Sequence, residues 1–216
     1  MNTELARYNM VEQQVRPCGV ITQSLIDTLF AIKRENFVSA HHKNLAFVDC
    51  ALPLPGGQTM LSPICESRLI EELGLHKTDK VLEVGTGSGY VTALLASLSS
   101  YVYSIEIDET NYEFAKQNLH LAKINNVSLV AGNGVIGLEK HAPFDKIFVG
   151  GALDVISEEL THQLKIGGKL VGFVGTNPVI HAVVVERLSP TEFATKYLFE
   201  TQVDYLLPHL STKFKF

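Results

Sequence analysis

The chain has 216 residues, no Trp, three Cys and a formal charge of −5, which fits one domain whose core needs no disulfide or metal staples. Apolar residues make up 46% and charged residues 19%, which excludes a disordered chain, and the mild acidity argues against a nucleic-acid partner, because phosphate tracking calls for a clustered basic face. No apolar run approaches the roughly 20 residues that span a bilayer, and the polar start MNTELARYNMVEQQVRP does not read as a signal peptide, so a cytoplasmic protein without a membrane partner is expected.

Leu5, Tyr8, Met10, Val11 and Val15 recur near helical spacing and predict a helix over 4–15 that Pro17 stops. Thr22 is a candidate N-cap for a second helix carrying Leu25, Ile26, Leu29 and Phe30 on one face. Residues 39–59 read as irregular, since ALPLPGGQT cannot hold a helix. Phe47, Leu52 and Leu54 give that stretch apolar groups to bury, so a functional loop is expected there. Ser62 and Pro63 then open a helix through 67–73. From Lys80 short apolar strands (81–84, 101–107, 127–131, 146–149, 169–174) alternate with helices (88–98, 109–122, 155–164). This pattern predicts a doubly wound, mostly parallel α/β sheet covered on both faces. Residues 179–187 and 193–206 alternate apolar and polar residues and predict an antiparallel C-terminal hairpin. The join between a mainly helical cap (1–78) and the sheet domain (79–216) falls near Lys77.

Cys18, Cys50 and Cys65 form no CxxC and are expected to be free thiols in a reducing compartment. His41-His42 lacks metal-ligand spacing and reads as a polar loop. The terminal STKFKF reads as a frayed tail.

The informative segment is VLEVGTGSGY, residues 81–90. A buried strand runs through Gly85, Thr86, Gly87, Ser88 and Gly89 straight into a helix. Glycine allows a sharp turn and a close ligand approach, and the helix start offers unpaired N–H groups. Glu106 ends the next strand, 17 residues beyond Gly89, where a carboxylate can accept both hydroxyls of a ribose. Asp108 is the alternative. The order is Gly-x-Gly-x-Gly with Glu83 two residues earlier, rather than the G-x-G-x-x-G of dehydrogenases, and no Gly-Lys-Ser/Thr marks a P-loop. E-x-G-x-G-x-G is the pattern of class I S-adenosylmethionine methyltransferases.

From about Met10 to Pro208 the chain resembles the protein-L-isoaspartate O-methyltransferases. MVEQQVR (10–16), AFVD (46–49), LPLPGGQT (52–59), VLEVGTGSGY, HAPFDKIFV (141–149) and LKIGGKLV (164–171) stand in the family's order. The resemblance implies a Rossmann-like methyltransferase sheet with its last strands exchanged, an N-terminal cap, and S-adenosyl-L-methionine as methyl donor, leaving S-adenosyl-L-homocysteine. It implies that Glu83, Gly85, Thr86, Gly87 and Gly89, with Ser88 among them, hold the methionine part and Glu106 the ribose. Gly132-Asn133-Gly134 falls where the family has Gly-Asp-Gly beside the adenine amine. Asn133 departs from that pattern, and its amide oxygen can still accept.

The family's loop reads Gln-Thr-Ile-Ser-x-Pro, with the Ser at the reacting carboxylate. Here Gln58, Thr59 and Pro63 anchor the match and Leu61 occupies the Ser position. Ser62 compensates only if the loop shifts by one residue. Thr59 and Ser62 are expected as polar groups near the substrate, with Leu61 shaping the pocket and the 54–62 loop as lid. Three readings follow from this departure: methylation of isoaspartyl carboxylates in damaged proteins or peptides, a changed acceptor such as a small molecule, or a non-catalytic cofactor-binding module.

Overall fold

The structure, a computed structural model, describes residues 2–207. The STKFKF tail lies outside the described residues.

Helix α1 (Thr3–Asn9) passes into a wider π-helical turn over Met10–Val15 and a 3-10 turn over Arg16–Cys18. The helical run is therefore longer than expected: Pro17 falls at the start of the closing 3-10 turn, where a first-turn position tolerates a missing N–H, and Gly19 in the left-handed region ends it. Helix α2 (Gln23–Ala31) starts after Thr22 as predicted, but Thr22 Oγ1 donates to Glu71 at 2.7 Å instead of capping its own helix. Turns over Arg34–Asn36 and Ala40–Leu45 lead to a two-stranded hairpin, β1 (Leu52–Pro53) and β2 (Thr59–Met60). Phe47, Leu52 and Leu54 are buried there as expected. Helix α3 (Pro63–Leu73) follows, with Ser62 accepting from the Cys65 N–H at 3.5 Å.

The main sheet has β3 (Lys80–Val84), β4 (Tyr101–Glu106), β5 (Val127–Ala131), β6 (Phe144–Leu153), β7 (Leu164–Thr176), β8 (Val179–Arg187) and β9 (Phe193–Thr201), in the order β5-β4-β3-β6-β7-β8-β9. Strands β3 to β7 pair in parallel, and β8 runs antiparallel to both neighbours. The last three strands follow in chain order, the exchange that the resemblance implies. The chain builds outward through β4 and β5, then returns to the other side of β3 for β6. That reversal leaves a crevice at the carboxyl ends of β3 and β6, the usual ligand position in such sheets.

Inward residues alternate along the strands with period two. Val81, Val102, Phe148 and Val171 pack with α2, α3, α4 (Tyr90–Leu98) and α5 (Glu109–Leu121). Leu82, Val84, Ile147 and Leu170 form a second core on the opposite face. The predicted two-sided cover is lopsided. The second face has one helical turn, α6 (Glu158–Thr161), and the 132–143 segment. The predicted 155–164 helix is short because β7 already begins at Leu164, pairing with Phe144. The N-terminal helices share the first core with the sheet, since Met10, Leu25, Leu69 and Phe173 belong to one buried cluster.

Candidate active site and cofactor pocket

The glycine loop is held by main-chain bonds to β4. Gly85 and Thr86 N–H groups donate to the Ile105 carbonyl at 2.9 and 3.3 Å, and Gly87 N–H donates to Glu106 Oε2 at 2.8 Å. Glu106 Oε1 accepts from Asp108 N–H at 2.9 Å. Asp108 caps α5 by accepting from Asn111 N–H at 2.9 Å, so the two acids have separate tasks. Beneath the loop Glu83 is wholly buried, and its Oε2 accepts from Thr92 at 2.6 Å and Ser104 at 2.5 Å. Burial pushes its carboxyl up to about 8, against the pull of the Ser104 and Thr92 hydrogen bonds.

A cleft opens between this loop, Glu106, the 132–135 turn and the ends of β3 and β6. Gly85, Gly87, Glu106, Asn133 and Gly134 line it, as does Thr59. Asn133 Oδ1 already accepts from Val135 N–H at 3.0 Å, leaving that oxygen one lone pair. Two lining glycines let the walls pack closely. A Cβ on Gly134 would lie 2.7 Å from Val84 Cγ1, and one on Gly150 would lie 2.9 Å from the Gly85 carbonyl oxygen.

An inner recess continues from the cleft past Leu54, Thr59, Gly85, Gly87 and Gly150, which line both. Thr86, Ser88, Leu61, Glu66 and Tyr90 line the recess. Three predicted site residues line neither space. Glu83 lies below the loop. Gly89 packs on α5, where a Cβ would meet Leu119 and Ala115 at 3.2 and 3.3 Å. Ser62 is spent on capping α3, so the loop has not slipped by one residue and Leu61 keeps the position facing the recess.

Sequence reading missed Gln58, Asn111, Gly150, Gly151, Asp204 and Tyr205, all of which line the cleft. Asn111 ties the proline–glycine loop to α5, accepting from Gly56 N–H at 2.9 Å and donating to Gln58 at 2.8 Å. Asp204 accepts from Thr59 Oγ1 at 2.8 Å, and its carbonyl accepts from Ala152 N–H at 2.8 Å. The segment after β9 is thereby fixed across the cleft mouth. Gly150-Gly151 at a strand end was the one available signal. The rest sit where no periodic pattern marks them.

A family model for protein-L-isoaspartate(D-aspartate) O-methyltransferases matches residues 6–206. The chain belongs to the protein-L-isoaspartate O-methyltransferase family. It is 38% identical over 183 residues to the protein-L-isoaspartate O-methyltransferase of Koribacter versatilis, covering 85% of this chain and 82% of that one. It is 42% identical over 157 residues to the Vibrio parahaemolyticus enzyme of that name, covering 73% and 76%. A Plasmodium falciparum structure described as a protein-L-isoaspartate O-methyltransferase in complex with S-adenosyl-L-homocysteine covers 97% of this chain and 100% of its own, with a TM-score of 0.82. At 20% identity it shows the shared fold. Among the described residues no helix is long and apolar enough to cross a membrane.

Proposed function

We propose that this chain transfers the methyl group of S-adenosyl-L-methionine to isoaspartyl carboxylates of proteins or peptides. The observation that carries the reading is the continuity of the cleft with the recess beneath the 59–61 loop, in a chain of this family. The residues present fit the donor. Glycines line the cleft where the chain packs too closely for a Cβ, at Gly134 against Val84 and at Gly150 against the Gly85 carbonyl, and a buried carboxylate, Glu106, stands at the strand end. Glu106 would hold the ribose hydroxyls, and Asn133 and Gly134 the adenine end. Gly85, Thr86, Gly87 and Ser88 would hold the amino-acid end. Glu83 and Gly89 would act through the loop's shape rather than on the ligand.

Bound S-adenosyl-L-methionine would supply an electrophilic methyl group on a sulfonium. An acceptor carboxylate is already ionised near neutral pH, so the chain need not provide a general base. Its residues align the acceptor and keep water out. Thr59 and Leu61 would shape the acceptor end, while Ser62 would only set the start of α3. The Thr59–Asp204 hydrogen bond would keep the loop closed over the donor. Residues 1–78 would serve as cap and loop, and 79–216 as the donor-binding unit. Three free thiols, Cys18, Cys50 and Cys65, support placement in a reducing cytoplasm. The partner is then an exposed isoaspartyl segment. A small-molecule acceptor is the outcome to adopt if isoaspartyl peptides are not methylated.

Calorimetry with S-adenosyl-L-homocysteine tests the donor half. Gly150→Val should lower that affinity roughly tenfold or more, because its Cβ meets main chain of the glycine loop rather than a movable side chain. Wild-type affinity in this variant would place the donor elsewhere.

A further inference from the structure

The recess beneath Leu61 contains a polar group that the family pattern does not explain. Glu66, on the first turn of α3, is wholly buried and lines the recess beside Leu61 and Thr59. Among the described residues neither carboxylate oxygen takes a hydrogen bond, and Tyr90 Oη, also buried, has no partner either. Arg34 Nε stands 3.3 Å from Glu66 Oε1 as its ion-pair partner. The rest of that guanidinium is committed to the loop: Nη2 donates to the Leu61 carbonyl at 2.6 Å, and Nη1 lies 3.6 Å from Met60 Sδ. Buried polar atoms normally find partners, so a buried carboxyl without a hydrogen bond in the wall of a recess marks a place where a ligand group can supply one.

We infer that Glu66 is the acceptor-binding residue of this chain, its carboxyl meeting the methyl-accepting carboxylate in place of the hydroxyl that Leu61 removes. This rests on the methyltransferase reading above. Arg34 faces it from the 34–36 turn, Asp49 from the loop before β1, Cys65 from its own helix and Tyr90 from α4. Burial pushes the Glu66 carboxyl up to about 7, Arg34 opposes that and Asp49 adds to it. The acid form therefore persists near neutrality, and an O–H can meet an acceptor oxygen that an ionised Glu66 would repel. No proton changes hands. The acceptor oxygen displaces the sulfonium methyl, the C–S bond breaks with its electrons going to sulfur, and Glu66 keeps its hydrogen.

The test is the pH dependence of kcat/KM for an isoaspartyl peptide, from about pH 6 to about pH 9, in wild type, Glu66→Gln and Glu66→Val. Wild type should lose activity above about pH 7, approaching a tenfold loss per pH unit once Glu66 ionises. Glu66→Gln keeps a neutral donor, so its profile should lack that fall and stay within about threefold of the wild-type acid plateau. Glu66→Val should lose roughly tenfold or more on the acid side, chiefly in KM. Affinity for S-adenosyl-L-homocysteine should stay unchanged in both. If Glu66→Val does not fold, the Glu66→Gln profile decides alone. Identical profiles in wild type and Glu66→Gln, or a loss confined to thermal stability, would overturn the role of Glu66 and leave the methyltransferase reading standing. Absence of any ester with wild type would overturn both.

Discussion

Glu106→Ala should weaken S-adenosyl-L-homocysteine binding at least tenfold, a loss of about 1.4 kcal/mol or more. Two effects add. The carboxylate would make charged hydrogen bonds to a ribose, each worth about 1.5–3 kcal/mol. It also holds the site together, because its oxygens accept from the Gly87 and Asp108 N–H groups. Alanine leaves both donors unpaired beside the cleft, and the glycine loop loses a tie to β4. Glu106→Gln keeps one accepting oxygen and should fall between the two. Asp108→Ala should act mainly on α5, whose first turn it caps, and cost less affinity. Calorimetry on the three variants separates the roles. Unchanged binding by Glu106→Ala would mean that the ribose acid lies elsewhere.

Stability should fall as pH rises from about 5 to about 8, and Glu83→Gln should remove much of that fall. The folded Glu83 carboxyl titrates near 8, the ordinary value being 4.5. Between those values the native state holds a proton that the unfolded chain has released. The native state thus binds more protons, so unfolding free energy declines with pH across this window and levels off above it. The loss is on the order of 3 kcal/mol for a group this far displaced. Glu66 adds to it with the same sign, up to about 7. Glutamine at position 83 preserves an oxygen for Thr92 and Ser104 and cannot ionise. Urea unfolding at several pH values reads this directly. Parallel slopes in wild type and variant would show that Glu83 is charged in the folded protein.

The proposed donor site is legible in the sequence because its demands are local. A strand, a left-handed glycine turn and a helix start fall within ten consecutive residues, and Glu106 follows at the spacing of one βαβ unit. The acceptor end was less legible. Ser62 looked available as a hydroxyl near Leu61, but a Ser before Pro at a helix start is also a cap, and the cap claims it. Glu66 carries no sequence signal of its own, because its burial against Arg34 comes from a turn 32 residues earlier. The 202–207 segment follows the last strand without periodicity, so neither Asp204 nor Tyr205 announced itself. In the fold, the π-helical turn over Met10–Val15 escaped a reading based on helical period. The Arg16 N–H reaches the Val11 carbonyl five residues back, and the same apolar residues stay buried.

Methyl transfer to isoaspartyl carboxylate despite Leu61 is tested most directly with methyl-labelled S-adenosyl-L-methionine and two peptides that differ only in carrying isoaspartyl or aspartyl at one position. The structure and family membership predict a base-labile methyl ester on the isoaspartyl peptide and little or none on its aspartyl twin. No ester on the isoaspartyl peptide at high enzyme concentration, with S-adenosyl-L-homocysteine still bound, would contradict the claim and assign the recess to another acceptor.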